Sequence, residues 1–594
     1  MKITLAAAGC TRSFAAAVAI VVLTASAAWA MDQVRAVTRT DEAVKAFCVS
    51  GAGVTIAILD RGLDWQHPDF IKPDGTTRIK WLLDMSGQSE CAANNPPPVE
   101  YSHADINAAL QGGPPIEFRD AVGHGTVTAG IAAGNGRAFA DAKYRGIAPE
   151  ADLIIVKLVS DGAPAHDGEP AETAFAGCID EALEWLDEKI DLLGQPCVAL
   201  INAGTQWGPI DGTSAVSHKI DEVFGQDRPG RVYVSPSGDE GNLPTHAGGD
   251  YASDGETVVH MTKLNTQTAW MSIWYTGAQP AEVTVTFDDG TSVGPVGPGE
   301  WANQFGIYIV QYEPGQEFYP WTSTSGDRAI WIRIMGHSGG GSVRLRGTVP
   351  GPGHFDLYHG QVPNVVQFVD HLVPGRLTDY SSTFSAVVAG AHVVRTSYTD
   401  INGIPRCLDN EGATGELWLY SSAGPTRDGR LHGVDLSAPG HNCFASYAPN
   451  SYWATFQFNL IHDGGGWYGR AGATSASAPI VLGAVALMLE LNPGLTTRQV
   501  RAILRETGVS DEFTGNLPNA DWGFGKLDVF EALAAVEALC PWDVDADHSV
   551  GILDLLALLA AWGSDPGGPP DFDNDGTVGI LDLLALLANW GPCP

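Results

Sequence analysis

Along residues 31–248, apolar runs such as Val54–Leu59 and Leu153–Leu158 alternate with helical stretches such as Ala171–Lys189. After a break the same alternation returns over 372–537. A short apolar run followed by a helix long enough to cross back is the pattern of βα units. It restricts the chain to an α/β fold with a parallel sheet flanked by helices. Between the two stretches, over 249–371, the period falls to two. Val283, Val285 and Phe287 alternate with polar residues and run into Asp289-Gly290; Ile330, Ile332 and Ile334, then Val343 and Leu345, do the same. Period two with a hairpin turn predicts short antiparallel strands, so an antiparallel β-sandwich inserted into the α/β domain is expected.

The 594 residues, 44% of them hydrophobic, leave room for more than one core. Lys+Arg number 33 against 69 Asp+Glu, a net charge of −36, which lacks the basic footprint that nucleic-acid binding requires. Residues 1–30 carry Lys2 and Arg12, the apolar stretch Phe14–Thr24 and a small-x-small site at Ala28-Trp29-Ala30, and so read as a secretory signal peptide. A secreted protein is expected, with no stable membrane span, because no later run reads as long enough to cross a bilayer. Removal of the leader would leave Cys48, Cys91, Cys178, Cys197, Cys407, Cys443, Cys540 and Cys593, an even number that predicts disulfide bonds. Many pairings are open; proximity in sequence suggests Cys178–Cys197 and Cys540–Cys593.

The end of the chain, 540–594, is an internal repeat. Asp543-Val-Asp-Ala-Asp-His-Ser-Val-Gly-Ile-Leu-Asp554 returns as Asp571-Phe-Asp-Asn-Asp-Gly-Thr-Val-Gly-Ile-Leu-Asp582. A hard cation such as Ca²⁺ takes oxygens from positions 1, 3, 5 and 12 of such a loop and a carbonyl at position 7. The candidate ligands are Asp543, Asp545, Asp547, Asp554 and the Ser549 carbonyl, then Asp571, Asp573, Asp575, Asp582 and the Thr577 carbonyl. Val550 and Val578 at position 8 are the apolar residues expected to let the two loops pair, and the leucine-rich segments after them fit one amphipathic helix per loop. The pair resembles a dockerin domain, which implies structural Ca²⁺ and a cohesin-like or cell-surface docking partner. His548 stands where glycine normally makes the sharp turn, and the helices are richer in Leu and Ala than the usual cohesin-binding face.

Three distant segments carry chemistry. An apolar strand ends in Asp60-Arg61-Gly62; His124 stands between two glycines at a helix start, in Asp120-Ala-Val-Gly-His124-Gly-Thr126. Ser475 heads an apolar helix in Gly472-Ala-Thr-Ser475-Ala-Ser-Ala-Pro479. Read singly, these are a strand-capping Asp, a structural His and an N-cap Ser. Together, in the order Asp, His, Ser, they closely resemble the motifs of the subtilase serine peptidases. Gly146-Ile-Ala-Pro149, Ile201-Asn202, Ser422-Ala-Gly-Pro425 and Ala438-Pro-Gly440 fall between them in matching order. The resemblance covers about 45–248 and 372–537 and implies a subtilisin-like fold. It also implies endopeptidase activity on polypeptide substrates, with Ser475 as nucleophile, His124 as general base and Asp60 orienting the imidazole. No cofactor is implied for that chemistry.

The departures define an alternative. Asp239, in Ser235-Pro-Ser-Gly-Asp239-Glu-Gly-Asn242, stands where the family usually places the Asn that donates to the oxyanion. Ala473 replaces the glycine of Gly-Thr-Ser, and Arg61 stands where a small hydroxyl residue is common. A pseudo-peptidase that binds polypeptide without turning it over is therefore the second reading.

Overall fold

The computed structural model describes residues 32–594 apart from 89–90, 93, 252–255, 361–364, 431–432, 540, 546–548, 567–568, 574 and 593–594. The leader, Asp547, His548 and the Cys540–Cys593 pairing lie outside the described residues.

Eight strands form the central sheet: β1 Thr55–Asp60, β2 Ile79–Asp84, β3 Val99–Ser102, β4 Asp152–Lys157, β5 Cys197–Ile201, β6 Arg231–Pro236, β7 Ala386–Val393 and β8 Leu436–His441. Their order across the sheet is β8-β7-β6-β5-β1-β4-β2-β3. All neighbours are parallel except the edge pair β2–β3, as the βα alternation predicts. The chain order reverses at β1, which lies between β4 and β5, and in parallel sheets such a switch point opens a crevice at the carboxyl ends of the strands.

One face of the sheet is covered by α1 (His124–Ala133) and α3 (Thr474–Leu491) in a single apolar core. The other is covered by α2 (Ile179–Leu193) and the helix Ala215–Phe224. Helix α2 starts at Ile179, later than the periodicity of 171–189 suggests, because residues 174–176 are taken by a short strand paired with 159–161. Helix α3 is apolar all round, which fits only a helix buried on every side. It is the one helix among the described residues long and apolar enough to cross a membrane, contrary to the expectation that no such run follows the leader. It is instead the core helix of the domain, with the run from Ala476 to Leu489 buried throughout.

Between β6 and β7 the chain builds two antiparallel sheets. Six strands run in the order 301–304, 307–312, 328–334, 269–275, 353–358, 246–251, and five in the order 292–296, 281–287, 339–347, 256–263, 366–368. Val283, Val285, Phe287, Val343 and Leu345 from one sheet meet Ile273, Ile309, Ile330, Ile332 and Ile334 from the other in one core. The outer face of the six-stranded sheet is not solvated: Trp274, Trp331 and Tyr358 are buried in the core shared with α2.

Cys178 is bonded to Cys91, which corrects the suggested Cys178–Cys197 pair. Cys197 opens the central strand β5 and is fully buried there, while Cys178 lies at the head of α2 within reach of the loop after β2.

In the C-terminal repeat, helices α4 (Ile552–Ala560) and α5 (Ile580–Ala588) follow the two loops. Val550 and Val578 meet in a small core with Leu558 and Leu586. Their backbones do not pair with each other. Val550 pairs with Gly591, after α5, and Val578 with Gly563 and Ser564, after α4. Each loop is thus tied to the segment that follows the other loop's helix, because both valine side chains already point inward.

Candidate active site

Asp60 ends β1 at the switch point and is fully buried. Its oxygens lie 2.7 and 2.9 Å from His124 Nδ1, and it accepts from the Arg61 N–H at 2.6 Å and from Thr128 Oγ1 at 2.8 Å. Burial pushes its pKa up, but the imidazole, the Arg61 guanidinium and the Thr128 hydroxyl outweigh that and leave it below the ordinary carboxylate value. An ionised Asp60 on Nδ1 fixes the tautomer of a neutral His124 with the Nε2 lone pair free. Arg61 points its guanidinium to Asp161. The hydroxyl that reaches Asp60 comes from Thr128 on α1, one turn beyond His124.

Helix α1 is held in place by its own sequence. Asp120 accepts from the Gly123 and Thr126 backbone N–H groups, each at 2.8 Å, and from the Thr126 hydroxyl at 2.8 Å, fixing the first turn around His124. Gly125 is required, since a Cβ there would come within 1.9 Å of the Gly62 carbonyl oxygen. Trp453, from the loop between strands Cys443–Ser446 and Tyr468–Ala471, sets its ring edge-on to His124 at 5.6 Å.

Ser475 is the second residue of α3, at the helix end where the dipole favours negative charge. Ser477, two residues on, is bonded to the Ala438 carbonyl and is turned into the protein. Asn202, just after β5, donates to the Ser475 carbonyl at 2.9 Å and to Thr128 Oγ1 at 2.7 Å. A chain of side chains thereby runs from Asp60 through Thr128 and Asn202 to the backbone of Ser475.

The turn before Ser475 carries a finding the sequence only hinted at. Ala473 has φ 69° and ψ −174°, a conformation otherwise nearly restricted to glycine, which costs about 1–3 kcal/mol for a residue with a Cβ. Asp239, beyond the end of β6, accepts from both the Thr474 backbone N–H (3.1 Å) and its hydroxyl (2.7 Å). Burial raises the Asp239 pKa, against the opposing pull of the Thr474 bonds and His124. Glu240 beside it is pushed up to about 7, first by burial and then by the Asp239 charge. Asn242 is exposed.

His124, Asn202, Asp239, Glu240, Trp453 and Ser475 line one cleft of about 550 Å³. Trp207 faces away from it, against Trp270 of the inserted sheets at 5.7 Å. That insert grips the segment that follows the cleft residues Asn202–Gly204: Ser272 donates to the Gln206 carbonyl and Trp274 Nε1 to the Trp207 carbonyl, each at 3.0 Å.

In the C-terminal repeat, Asp543, Asp545 and Asp554 converge, as do Asp571, Asp573 and Asp582, with oxygens within 4.8 Å of one another. Asp575 is turned to the Thr577 backbone N–H at 2.8 Å. Asp571 keeps one carboxylate oxygen buried without a hydrogen-bond partner.

A carboxylate–imidazole pair and a hydroxyl at a helix start share one cleft at the switch point of a parallel sheet, an arrangement able to support nucleophilic chemistry. This chain belongs to the subtilase family, whose sequence pattern, peptidase S8, matches residues 51–525. It is 23% identical over 503 residues to the minor extracellular protease Vpr of Bacillus subtilis (strain 168), covering 83% of this chain and 53% of that protein. A second relative, the serine protease AprX of the same organism, is 35% identical over 147 residues, 25% of this chain and 31% of its own length. The chain thus spans about half the length, or less, of these curated relatives. Among solved structures, the CspB protease of Clostridium perfringens superposes with a TM-score of 0.64 at 21% identity, covering 85% of this chain and 97% of that one, and shares the fold.

Proposed function

We propose that this chain is an exported serine endopeptidase that cleaves polypeptides through an acyl-enzyme on Ser475. The observation that carries the reading is the Asp60–His124 pair, with Nδ1 held at 2.7 Å, in the same cleft as Ser475. His124 Nε2 takes the Ser475 proton as Oγ attacks the scissile carbonyl, and later returns it to the leaving amine. Buried Asp60 stabilises the imidazolium formed between those steps. The dipole of α3, whose N-terminal end carries Ser475, favours the negative charge that develops on the carbonyl oxygen. The name of the relative Vpr, an extracellular protease, and the leader-like residues 1–30 support export.

The C-terminal repeat fits Ca²⁺, since a buried carboxylate oxygen without a donor, at Asp571, is what a cation would satisfy. Asp543, Asp545, Asp554, Asp571, Asp573 and Asp582 would hold it, joined by Asp547, Asp575 and the Ser549 and Thr577 carbonyls as the loops close. The cation would supply structural order only. Ile552, Leu553, Leu556 and Leu559 on α4, and their counterparts Ile580, Leu581, Leu584 and Leu587 on α5, are exposed, which supports a docking role toward a cohesin-like or cell-surface partner.

The Asp239 carboxylate favours a second reading, a subtilase scaffold that binds polypeptide without turnover. Incubation with a fluorophosphonate, followed by mapping of the labelled peptide, separates the two when paired with digestion of an unfolded protein between pH 5 and 9. Labelling at Ser475 with cleavage supports the peptidase; polypeptide binding with neither would establish the scaffold.

A further inference from the structure

Three consecutive residues leading into and including the nucleophile are each held by a side chain from a different strand end. Asn202 holds the Ser475 carbonyl, Asp239 holds the Thr474 N–H, and His441, at the end of β8, accepts from the Ala473 N–H through Nδ1 at 3.1 Å. Ala473 is the strained one, with its φ of 69°. Gly472 beside it leaves room for the ring, since a Cβ there would stand 3.0 Å from His441 Nδ1.

Because the Ala473 N–H can only donate, Nδ1 must carry the lone pair and Nε2 the proton. Nε2 accordingly lies 3.0 Å from Glu411 Oε2. Glu411 is fixed in turn by Arg470 at 3.1 Å, and the imidazole stacks on Trp418 at 4.7 Å between centroids. Two imidazoles therefore line the cleft, each tied to a carboxylate behind it, in opposite sense. In Asp60–His124 the carboxylate holds Nδ1 and Nε2 is free for chemistry. In Glu411–His441 the carboxylate holds Nε2 and Nδ1 is aimed at the backbone of the nucleophile's turn.

We propose that His441, oriented by Glu411, is a positioning residue that keeps a non-glycine residue at 473 in the conformation from which Ser475 is presented. The inference rests on the reading of Ser475 as the nucleophile. It accounts for how the chain tolerates alanine where the family uses glycine: the strain is borne by an added acceptor.

The test is a double-mutant cycle between His441→Phe, which keeps the ring stack and loses the acceptor, and Ala473→Gly, which removes the strain. With Ala473 in place, His441→Phe should lower kcat about tenfold with KM within about twofold, and slow fluorophosphonate labelling of Ser475 in parallel. His441→Asn, whose Oδ1 can accept the same bond, should retain most of the rate. In the Ala473→Gly background the loss on removing the imidazole should shrink to less than about threefold. Equal losses in both backgrounds, or none in either, would overturn the proposal. The thermal midpoints of the four proteins give a readout independent of activity: His441→Phe should lower the midpoint more with Ala473 than in the Ala473→Gly background. If wild-type Ser475 were never labelled, the peptidase reading would fail, yet the midpoint cycle would still decide the clamp. Should His441→Phe not fold with Ala473, its folding once combined with Ala473→Gly supports the proposal and failure in both overturns it.

Discussion

Two sets of carboxylates in this molecule look alike in sequence and differ in how the fold treats them. In the cleft, Asp60 and Asp239 are met by donors from the protein itself: an imidazole, hydroxyls and backbone N–H groups. In the C-terminal repeat, Asp554 and Asp582 also accept backbone N–H bonds, but Asp543, Asp545 and Asp554, and Asp571, Asp573 and Asp582, converge on one another, and one buried Asp571 oxygen has no donor. A carboxylate satisfied by the chain can position or polarise a neighbour. Carboxylates gathered against each other repel, and a cation between them would relieve that repulsion. On the proposed reading the first set serves the peptidase chemistry and the second a cation.

The largest effect should come from Ser475→Ala, which removes the nucleophile and leaves no local substitute. Peptide cleavage should fall by roughly 10⁴-fold or more, while any Ca²⁺-induced shift in thermal unfolding of the full chain stays unchanged. A shift that vanished with the serine would break the separation between the two sets. Next in size is the response of the repeat. Binding only to the folded loops should add about 2.7 kcal/mol per site at a hundredfold excess over Kd. Calorimetry of the full chain with Ca²⁺ and with chelator should show one transition move, and Asp571→Asn should reduce that movement without altering kcat. Cleavage abolished by chelator would contradict it.

Asp239→Asn tests the cleft set from within. The amide keeps an acceptor for Thr474 and adds a donor toward the oxyanion, so turnover at neutral pH should rise about tenfold. Because burial raises the pKa of Asp239, its carboxyl keeps a proton to higher pH than an ordinary Asp, and the gain should shrink toward pH 5. Equal kcat for both forms from pH 5 to 9 would place this side chain outside the oxyanion's reach.

The smallest expected effect concerns acid stability. Burial pushes His392 down to about 3 and His359 and His441 to about 4. The unfolded chain takes up protons near pH 6.5 that the folded chain refuses, so stability should fall as pH drops from about 6.5 toward 4. Replacing His392 with Asn should flatten the Tm–pH curve by a few °C over that range. An unchanged slope would remove His392 from the account.

The parallel sheet was legible because burial on both faces writes continuous apolar runs such as Val54–Leu59. That Asp60, His124 and Ser475 would be brought to one place was legible because each sits in a short local pattern that needs particular neighbours, Gly125 above all. Thr128 and His441 were not, since nothing adjacent in sequence marks a hydroxyl or imidazole whose partner lies 68 or 32 residues away. The Cys91–Cys178 bond spans 87 residues and was hidden for the same reason, sequence proximity being a poor guide to which cysteine is buried in a strand. The sequence did flag Ala473 and Asp239 as departures. That the strained backbone of one and the carboxylate of the other act on a single turn required the fold.

The position of the inserted sheets between β6 and β7 has a consequence for the order in which the molecule is made. Asp60, His124, Asn202 and Asp239 all leave the ribosome before the insert, and Ser475 well after it. At roughly 5–20 residues per second, synthesis from Pro236 to Ser475 takes on the order of 10–50 s. Throughout that interval the chain holds six of the eight strands, with Asp60 and His124 but without Ser475. Its growing edge at β6 waits for β7, while the insert can fold and take hold of Gln206 and Trp207. On the proposed reading of Ser475 as nucleophile, a nascent chain would thus be unable to cut itself or its neighbours until nearly all of the α/β domain has been synthesised.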